Sequence, residues 1–263
     1  MNAEVVERVL RSARYRDVDP GMLARMVDEE QPRSRNFDDA VKRVKRRLHQ
    51  AVGAFRGTER PDALATAWNG DLQAAAFKAA CIDALRAHAS TRERLAALDA
   101  FYPPIWAATA MPSSVLDLAC GLNPLTLPWM GLPADATYFA SDVDRRPLRT
   151  VEAFLELVGQ PHRVEVRDLV ADPPDDRADV ALLFKLVTTL DRQDPDAAER
   201  LIAALHVRHV VVSFPVRSLA GRGKGMERTY RTRLERLAAG SRVRDVTEIT
   251  MPGELLAVMT LDG

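Results

Sequence analysis

The chain changes its grammar at Met111-Pro112, and this constrains the fold more than any other feature. Beyond that point short β-branched or apolar runs alternate with polar stretches of helical periodicity, the pattern of parallel βαβ units. Seven strands are expected, over Val115 to Ala119, Thr137 to Ser141, Arg163 to Arg167, Asp179 to Phe184, His209 to Phe214, Val243 to Ile249 and Leu255 to Leu261. Helices should cover Pro147 to Val158, Ala197 to Leu205 and Met226 to Ala239. The last two strands are separated only by Thr250-Met-Pro-Gly253, so they read as an antiparallel hairpin. The expected architecture is a Rossmann-like, seven-stranded, doubly wound α/β sheet over residues 111–263.

From Met1 to about Ala110 the pattern is helical throughout. Val5, Val6, Val9 and Leu10 recur at helix spacing, as do Met22, Leu23, Met26 and Val27 after the helix start at Asp19-Pro20. Val41, Val44, Leu48 and Val52 form a third apolar stripe. An alanine-rich stretch from Leu64 to Ala89, followed by Ser90-Thr-Arg-Glu93 as a capping box, gives two further helices. Residues 1–110 are therefore read as an all-helical N-terminal domain.

The 263 residues carry 37 basic and 37 acidic side chains, so global charge names no polyanionic partner. The distribution says more. From Gln31 to Arg60 there are nine basic residues against three acidic ones. Arg33, Arg35, Lys42, Arg43, Lys45, Arg46 and Arg47 stand between apolar stripe positions and give a basic helix face suited to phosphates. An apolar content of 47% and a charged content of 28% exclude disorder. No apolar run reaches the roughly 18 residues of a membrane span, and the first residues lack a signal-peptide core, so a cytoplasmic protein with no membrane partner is expected. Cys81 and Cys120 are too few for a disulfide framework or a zinc site, and no metal is expected.

Strand one runs into Asp117-Leu-Ala-Cys-Gly-Leu-Asn-Pro124, where a nucleotide-binding turn belongs. Ala119, Gly121 and Asn123 occupy the places of three alternating glycines, and small residues there let a ligand approach the backbone. Pro124 lacks an N–H for a pyrophosphate, which counts against a dinucleotide. The second strand ends at Asp142, 21 residues after Gly121, close to the spacing of about 20 at which a carboxylate meets ribose hydroxyls. Asp168 stands after strand three, placed for an adenine amino group. Asp172-Pro-Pro-Asp175 lacks the aromatic residue of an amine-gripping motif and reads as a stiff turn, and Gly221-Arg-Gly-Lys-Gly225 lacks the spacing and hydroxyl of a P-loop. Trp129 is read as core.

A doubly wound sheet ending in a hairpin resembles class I S-adenosylmethionine (SAM) methyltransferases. More specifically, the chain resembles the aminoglycoside-resistance 16S rRNA methyltransferases of actinomycete producers and the related Arm/Rmt enzymes. The likeness is carried by His88-Ala-Ser-Thr-Arg-Glu-Arg94-Leu, Asp117 to Pro124, Pro128-Trp-Met-Gly-Leu-Pro133, Phe184-Lys185 and Ser213-Phe-Pro-Val-Arg-Ser-Leu-Ala-Gly-Arg-Gly-Lys-Gly-Met226. It implies N7 methylation of guanine 1405 in the assembled 30S subunit, with SAM as cofactor and S-adenosylhomocysteine (SAH) as product. Resistance to kanamycin- and gentamicin-type aminoglycosides would follow. A helical N-terminal domain in two small parts would assist docking, and a monomer is expected.

Transferred residue by residue, the resemblance implies that Arg94 pairs with the SAM carboxylate while His88, Ala89 and Ser90 line the methionine end. Asp142 would hold the ribose beside Ala119 and Gly121. Asp168 and Leu169 would flank adenine, with Phe184 packing on it and Gln193 near the same pocket. Lys185, Arg217, Arg222 and Lys224 would position the target at the mouth. Guanine N7 carries an unshared in-plane pair and no proton, so no general base is expected. The alternatives are methylation at another rRNA position, such as N1 of adenine 1408, methylation of a small molecule, or a noncatalytic protein that binds SAM and the ribosome.

Overall fold

The computed structural model describes residues 2–53, 61–86, 88–215 and 224–262. Seven strands form one sheet in the order β3-β2-β1-β4-β5-β7-β6: β1 (Ser114–Leu118), β2 (Thr137–Asp142), β3 (His162–Val166), β4 (Arg177–Phe184), β5 (His206–Pro215), β6 (Val243–Met251) and β7 (Glu254–Leu261). β1 to β5 are parallel, and β7 enters antiparallel between β5 and β6. Every expected strand is present within a few residues of its expected ends. The closing hairpin is tighter than expected, with Met251 paired to Glu254 across Pro252-Gly253, where Gly253 supplies φ +83°.

Period-two alternation divides the buried residues of the central strands between two cores. Val115, Val180, Leu182, Val211, Leu256 and Val258 pack on one face of the sheet. Leu116, Leu118, Ala181, Leu183, Val210, Val212, Ala257 and Met259 pack on the other. Burial on both faces explains why the strands read as near-continuous apolar runs. The first face is covered by the helix at Arg145–Val158 and by helical residues from Leu64 to Trp106; the second by the helices at Val187–Asp191, Ala197–Ala204 and Lys224–Ala238.

The helical half therefore has two cores rather than one. Helices α1 (Asn2–Leu10), α2 (Pro20–Glu30) and α3 (Phe37–Leu48) close around their own cluster, from Val5 and Val9 through Met22, Met26 and Val27 to Val44 and Leu48. The alanine-rich helix at Ala75–Arg86 instead shares a core with the sheet. Its alanines allow close approach, and Phe77 fills the remaining depth against Phe154 at a ring separation of 5.9 Å. Trp129 packs against this same core, as expected.

The helix starts follow side-chain caps. Asp19 accepts from Met22 N at 2.7 Å, Asn36 from Asp39 N at 3.0 Å and Asp144 from Arg146 N at 3.1 Å. The expected capping box at Ser90 to Glu93 does not form. His88 stands at the N-cap of the short helix Ala89–Arg92 without a side-chain cap, Ser90 Oγ meets His88 Nδ1 at 2.8 Å, and Glu93 binds Lys185 Nζ at 2.6 Å. A buried ammonium has more to lose from lacking a carboxylate than a helix turn has from lacking a cap.

Candidate cofactor site

Strand order reverses between β1 and β4, and ligands of open α/β sheets bind outside the carboxyl ends of the strands at such a point. A cleft opens there. Its walls include His88, Ser90, Ala119, Gly121, Asp142, Asp168, Leu169, Phe184, Lys185 and Gln193, ten of the residues expected at the cofactor or target. Three non-glycine residues among those described have positive φ, and two of them, Ala119 at 54° and Lys185 at 57°, line this cleft. Left-handed backbone costs an L-residue about 1–2 kcal/mol, and such strain concentrates at functional sites.

Gly121 is fixed by its surroundings. Its φ is +52°, a Cβ there would lie 2.9 Å from His88 Cε1, and its N–H donates to Asp142 Oδ2 at 3.0 Å. Asp142 Oδ1 accepts from Asp144 N at 3.0 Å. Burial pushes the Asp142 carboxyl up to about 6 against the opposing pull of those two N–H groups. Burial, aided by the Lys185 charge, pushes His88 down to about 4, so the imidazole is neutral near pH 7.

Behind the cleft lies a buried polar chain. Asp117 Oδ2 accepts from Tyr138 Oη at 2.7 Å and from Asn123 Nδ2 at 2.9 Å, while Oδ1 has no hydrogen-bond partner among the described residues. Burial outweighs both bonds and raises this carboxyl to about 6. Asn123 Oδ1 accepts from Arg94 Nη1 at 3.0 Å, and Arg94 grips Glu254 through Nε at 3.2 Å and Nη2 at 2.9 Å. The guanidinium is sandwiched between Phe101 and Phe184, 4.1 and 4.3 Å from the ring centroids. Lys185 Nζ joins the same group through Ser90 O at 2.8 Å and Glu254 at 3.4 Å.

Arg94 thus stands one layer behind the wall, not on it. Its fork is held by Glu254, whose buried charge needs a cation at close range. Glu254 carried no expectation from sequence, although a carboxylate opening the apolar strand Glu254–Leu261 is itself a signal. Also missed were Met22, Ala51 and Val52, which bring the N-terminal helices to the cleft, and Arg25, whose fork holds Asp168. The side chain of Ala89 lies outside the described residues. So do Arg217, Arg222 and the Lys224 side chain.

The basic residues of the N-terminal helices divide. Arg33, Arg35, Lys42 and Arg46 are exposed, and Lys45 is half-buried. Lys42, Lys45 and Arg46 form no ion pair among the described residues. Arg43 is tied to Asp39 at 3.2 Å and Glu30 at 3.4 Å, and Arg47 turns inward to Glu29, Glu30 and the Gln193 carbonyl. Arg47 departs from the expected outward face because two acids of α2 and the rim of the cleft capture its fork. The described residues hold no group of three metal ligands and no helix long and apolar enough to cross a membrane.

The model of the ribosomal RNA methyltransferase (FmrO) family matches residues 11–258. The chain belongs to that family. It is 44% identical over 244 residues to the 16S rRNA (guanine(1405)-N(7))-methyltransferase of Frankia casuarinae, covering 89% of this chain and 85% of that protein. To the enzyme of the same name from Micromonospora echinospora it is 37% identical, covering 97% and 95%. Among solved structures, the 16S rRNA methyltransferase RmtF in complex with S-adenosyl-L-homocysteine superposes with TM-score 0.83 at 33% identity, covering 99% of this chain and 98% of that one. The 16S rRNA methylase RmtB gives 0.82 at 30%, covering 100% and 99%. The methyltransferase fold and family expected from the motifs are therefore observed.

Proposed function

We propose that this protein transfers the methyl group of SAM to N7 of guanine 1405 of 16S rRNA in the assembled 30S subunit, acting as a monomer, and so gives resistance to kanamycin- and gentamicin-type aminoglycosides. The observation that carries the reading is the family match over residues 11–258, which spans both the cleft and the basic helices of one methyltransferase lineage. Within the helical N-terminal part, residues 1–110, the separate core of residues 5–52 carries rRNA docking, and residues 111–263 carry the cofactor.

The donor set suits SAM. Asp142, half-buried at the end of β2, has lone pairs for two ribose hydroxyls beside Gly121, where no side chain fits. Asp168 and Gln193 offer polar edges to adenine, and Leu169, Val170, Leu190 and Met22 give it apolar walls. His88 and Ser90 close the methionine end, with Ala89 in the same turn, and Arg94 braces that wall through Phe184. When bound, the cofactor supplies an electrophilic sulfonium methyl group.

The chain's own work is alignment. An N7 nucleophile has no proton to lose, so the transfer calls for no general base. Holding the nucleophile in line supplies the acceleration. Extruding the stacked guanine costs a few kcal/mol, and Lys185, Arg217, Arg222 and Lys224 are the cations that would offset it. Arg33, Arg35, Lys42, Lys45 and Arg46, with Arg43 at the margin and Arg47 bracing from behind, position the subunit through phosphates. Tritium transfer from labelled SAM to 30S subunits tests the reading. Incorporation into 16S rRNA is expected, and binding of SAM and subunits without transfer would contradict it.

A further inference from the structure

Helix α2 sends one cation across to the sheet. Arg25 Nε donates to Asp168 Oδ2 at 2.7 Å, and Nη2 donates to Asp168 Oδ1 at 3.1 Å and to Gln193 Oε1 at 2.9 Å. Arg47 of α3 donates to the backbone carbonyl of that same Gln193 at 3.2 Å, and Glu29 accepts from both arginines. Arg25, Glu29, Arg47 and Gln193 thus form a closed ring from which Arg25 also holds Asp168, so that three residues of the N-terminal helices are tied to two of the cleft. A second seam runs beside it. Asp19 N donates to Val143 O at 2.8 Å and Arg145 N to Asp17 O at 2.9 Å, around a bridge between Val18 and Asp144.

The ring joins two surfaces with different tasks. Asp168 and Gln193 line the cleft, whereas α3 carries Lys42 and Arg46 outward to solvent. The carboxylate of Asp168 has about four acceptor positions. Arg25 fills two, and the N–H of Val170 a third at 3.2 Å. One stays open for a donor such as an exocyclic amine, so the fork orients the carboxylate without closing it. With side-chain exposures of only 18% and 8%, Arg25 and Asp168 form a bidentate pair that a lysine cannot reproduce.

Resting on the SAM reading above, we propose that Arg25 is a positioning residue of the cofactor site, contributed by the N-terminal helices. Through it, adenosine binding and the seating of the basic α3 face on rRNA favour each other. Linkage makes the effect reciprocal: whatever factor SAH adds to 30S affinity, the subunit adds to SAH affinity.

The test is calorimetric titration of SAH into the wild-type chain, Arg25→Ala and Arg25→Lys, together with 30S binding measured with and without saturating SAH. Arg25→Ala should weaken SAH binding by about tenfold, and Arg25→Lys, which keeps the charge and loses the fork, should recover only part. Saturating SAH should tighten 30S binding by the wild type and not by Arg25→Ala. Lys42→Glu should weaken 30S binding while leaving SAH affinity and the SAH-dependent increment in place. Unchanged or tighter SAH binding by Arg25→Ala, or an increment that survives in it, overturns the proposal. If circular dichroism shows Arg25→Ala unfolded, Arg25→Lys carries the same test, a loss of at least about threefold being expected and wild-type affinity overturning it. A wild-type chain that binds no SAH removes the cofactor reading itself, whereas equal binding by wild type and variants removes only the role of Arg25.

Discussion

Glu254, the first residue of β7, takes both ends of the Arg94 fork at 3.2 and 2.9 Å while the two residues are only 5% and 4% exposed. Burial alone would raise the Glu254 carboxyl; the Arg94 and Lys185 cations outweigh it and hold the group below the usual carboxylate range. Its stabilising effect is thus present above the ordinary carboxylate pKa and lost as pH falls through the lowered folded value. Glu254→Gln leaves Arg94 and Lys185 short of a negative charge in the interior. A loss of about 3–5 kcal/mol in urea unfolding is expected, and Arg94→Met with Glu254→Leu should recover part of it, because both charges leave together.

Asp142 is predicted to make SAH binding pH-dependent. Its carboxyl, raised to about 6, must be ionised to accept hydroxyl protons, so affinity should rise from pH 5 to 7 and level off above. Below pH 6 it should fall by up to about tenfold per pH unit. Asp117 titrates in the same range but is buried behind the turn, bonded to Asn123 and Tyr138. Asp142→Asn should therefore weaken binding at pH 7 and flatten the profile; calorimetry at four pH values checks both.

Gly121→Ala should damage the site locally. The left-handed backbone costs about 1–2 kcal/mol, and the added Cβ would meet His88 Cε1 at 2.9 Å. Thermal unfolding should report a modest loss, and SAH titration a fall of about tenfold or more.

The exposed α3 cations should act on rRNA alone. Lys42→Glu with Arg46→Glu is expected to weaken 30S binding and reduce the slope of log affinity against log salt by about two, with SAH affinity unchanged. Arg47→Glu should weaken both, because Arg47 bonds the Gln193 carbonyl at the cleft. Filter binding across a salt series, beside calorimetry, separates the two classes.

Local patterning accounts for what the sequence made visible. Runs such as Val180 to Leu183, buried on both sheet faces, stand out against polar helices, and the spacing from Gly121 to Asp142 follows from two adjacent parallel strands. Long-range pairings were not visible. The partners of Arg25 lie 143 and 168 residues away, and Glu254 lies 160 residues from Arg94. No periodicity encodes such contacts. The alanine-rich segment misled differently: it is helical in two pieces, Pro61–Ala67 and Ala75–Arg86, and apolar residues at helix spacing do not say which core they fill. Arg47 reads as one more cation on a basic face until Glu29 and Glu30 are seen beneath it.

The most direct test of the central claim is to incubate 30S subunits with the protein and SAM, cleave the rRNA with borohydride and aniline at 7-methylguanine, and map the break by primer extension. A SAM-dependent stop at guanine 1405 is predicted. Scission absent there while methyl label enters the RNA elsewhere, at adenine 1408 or on an exocyclic amine, would contradict the account.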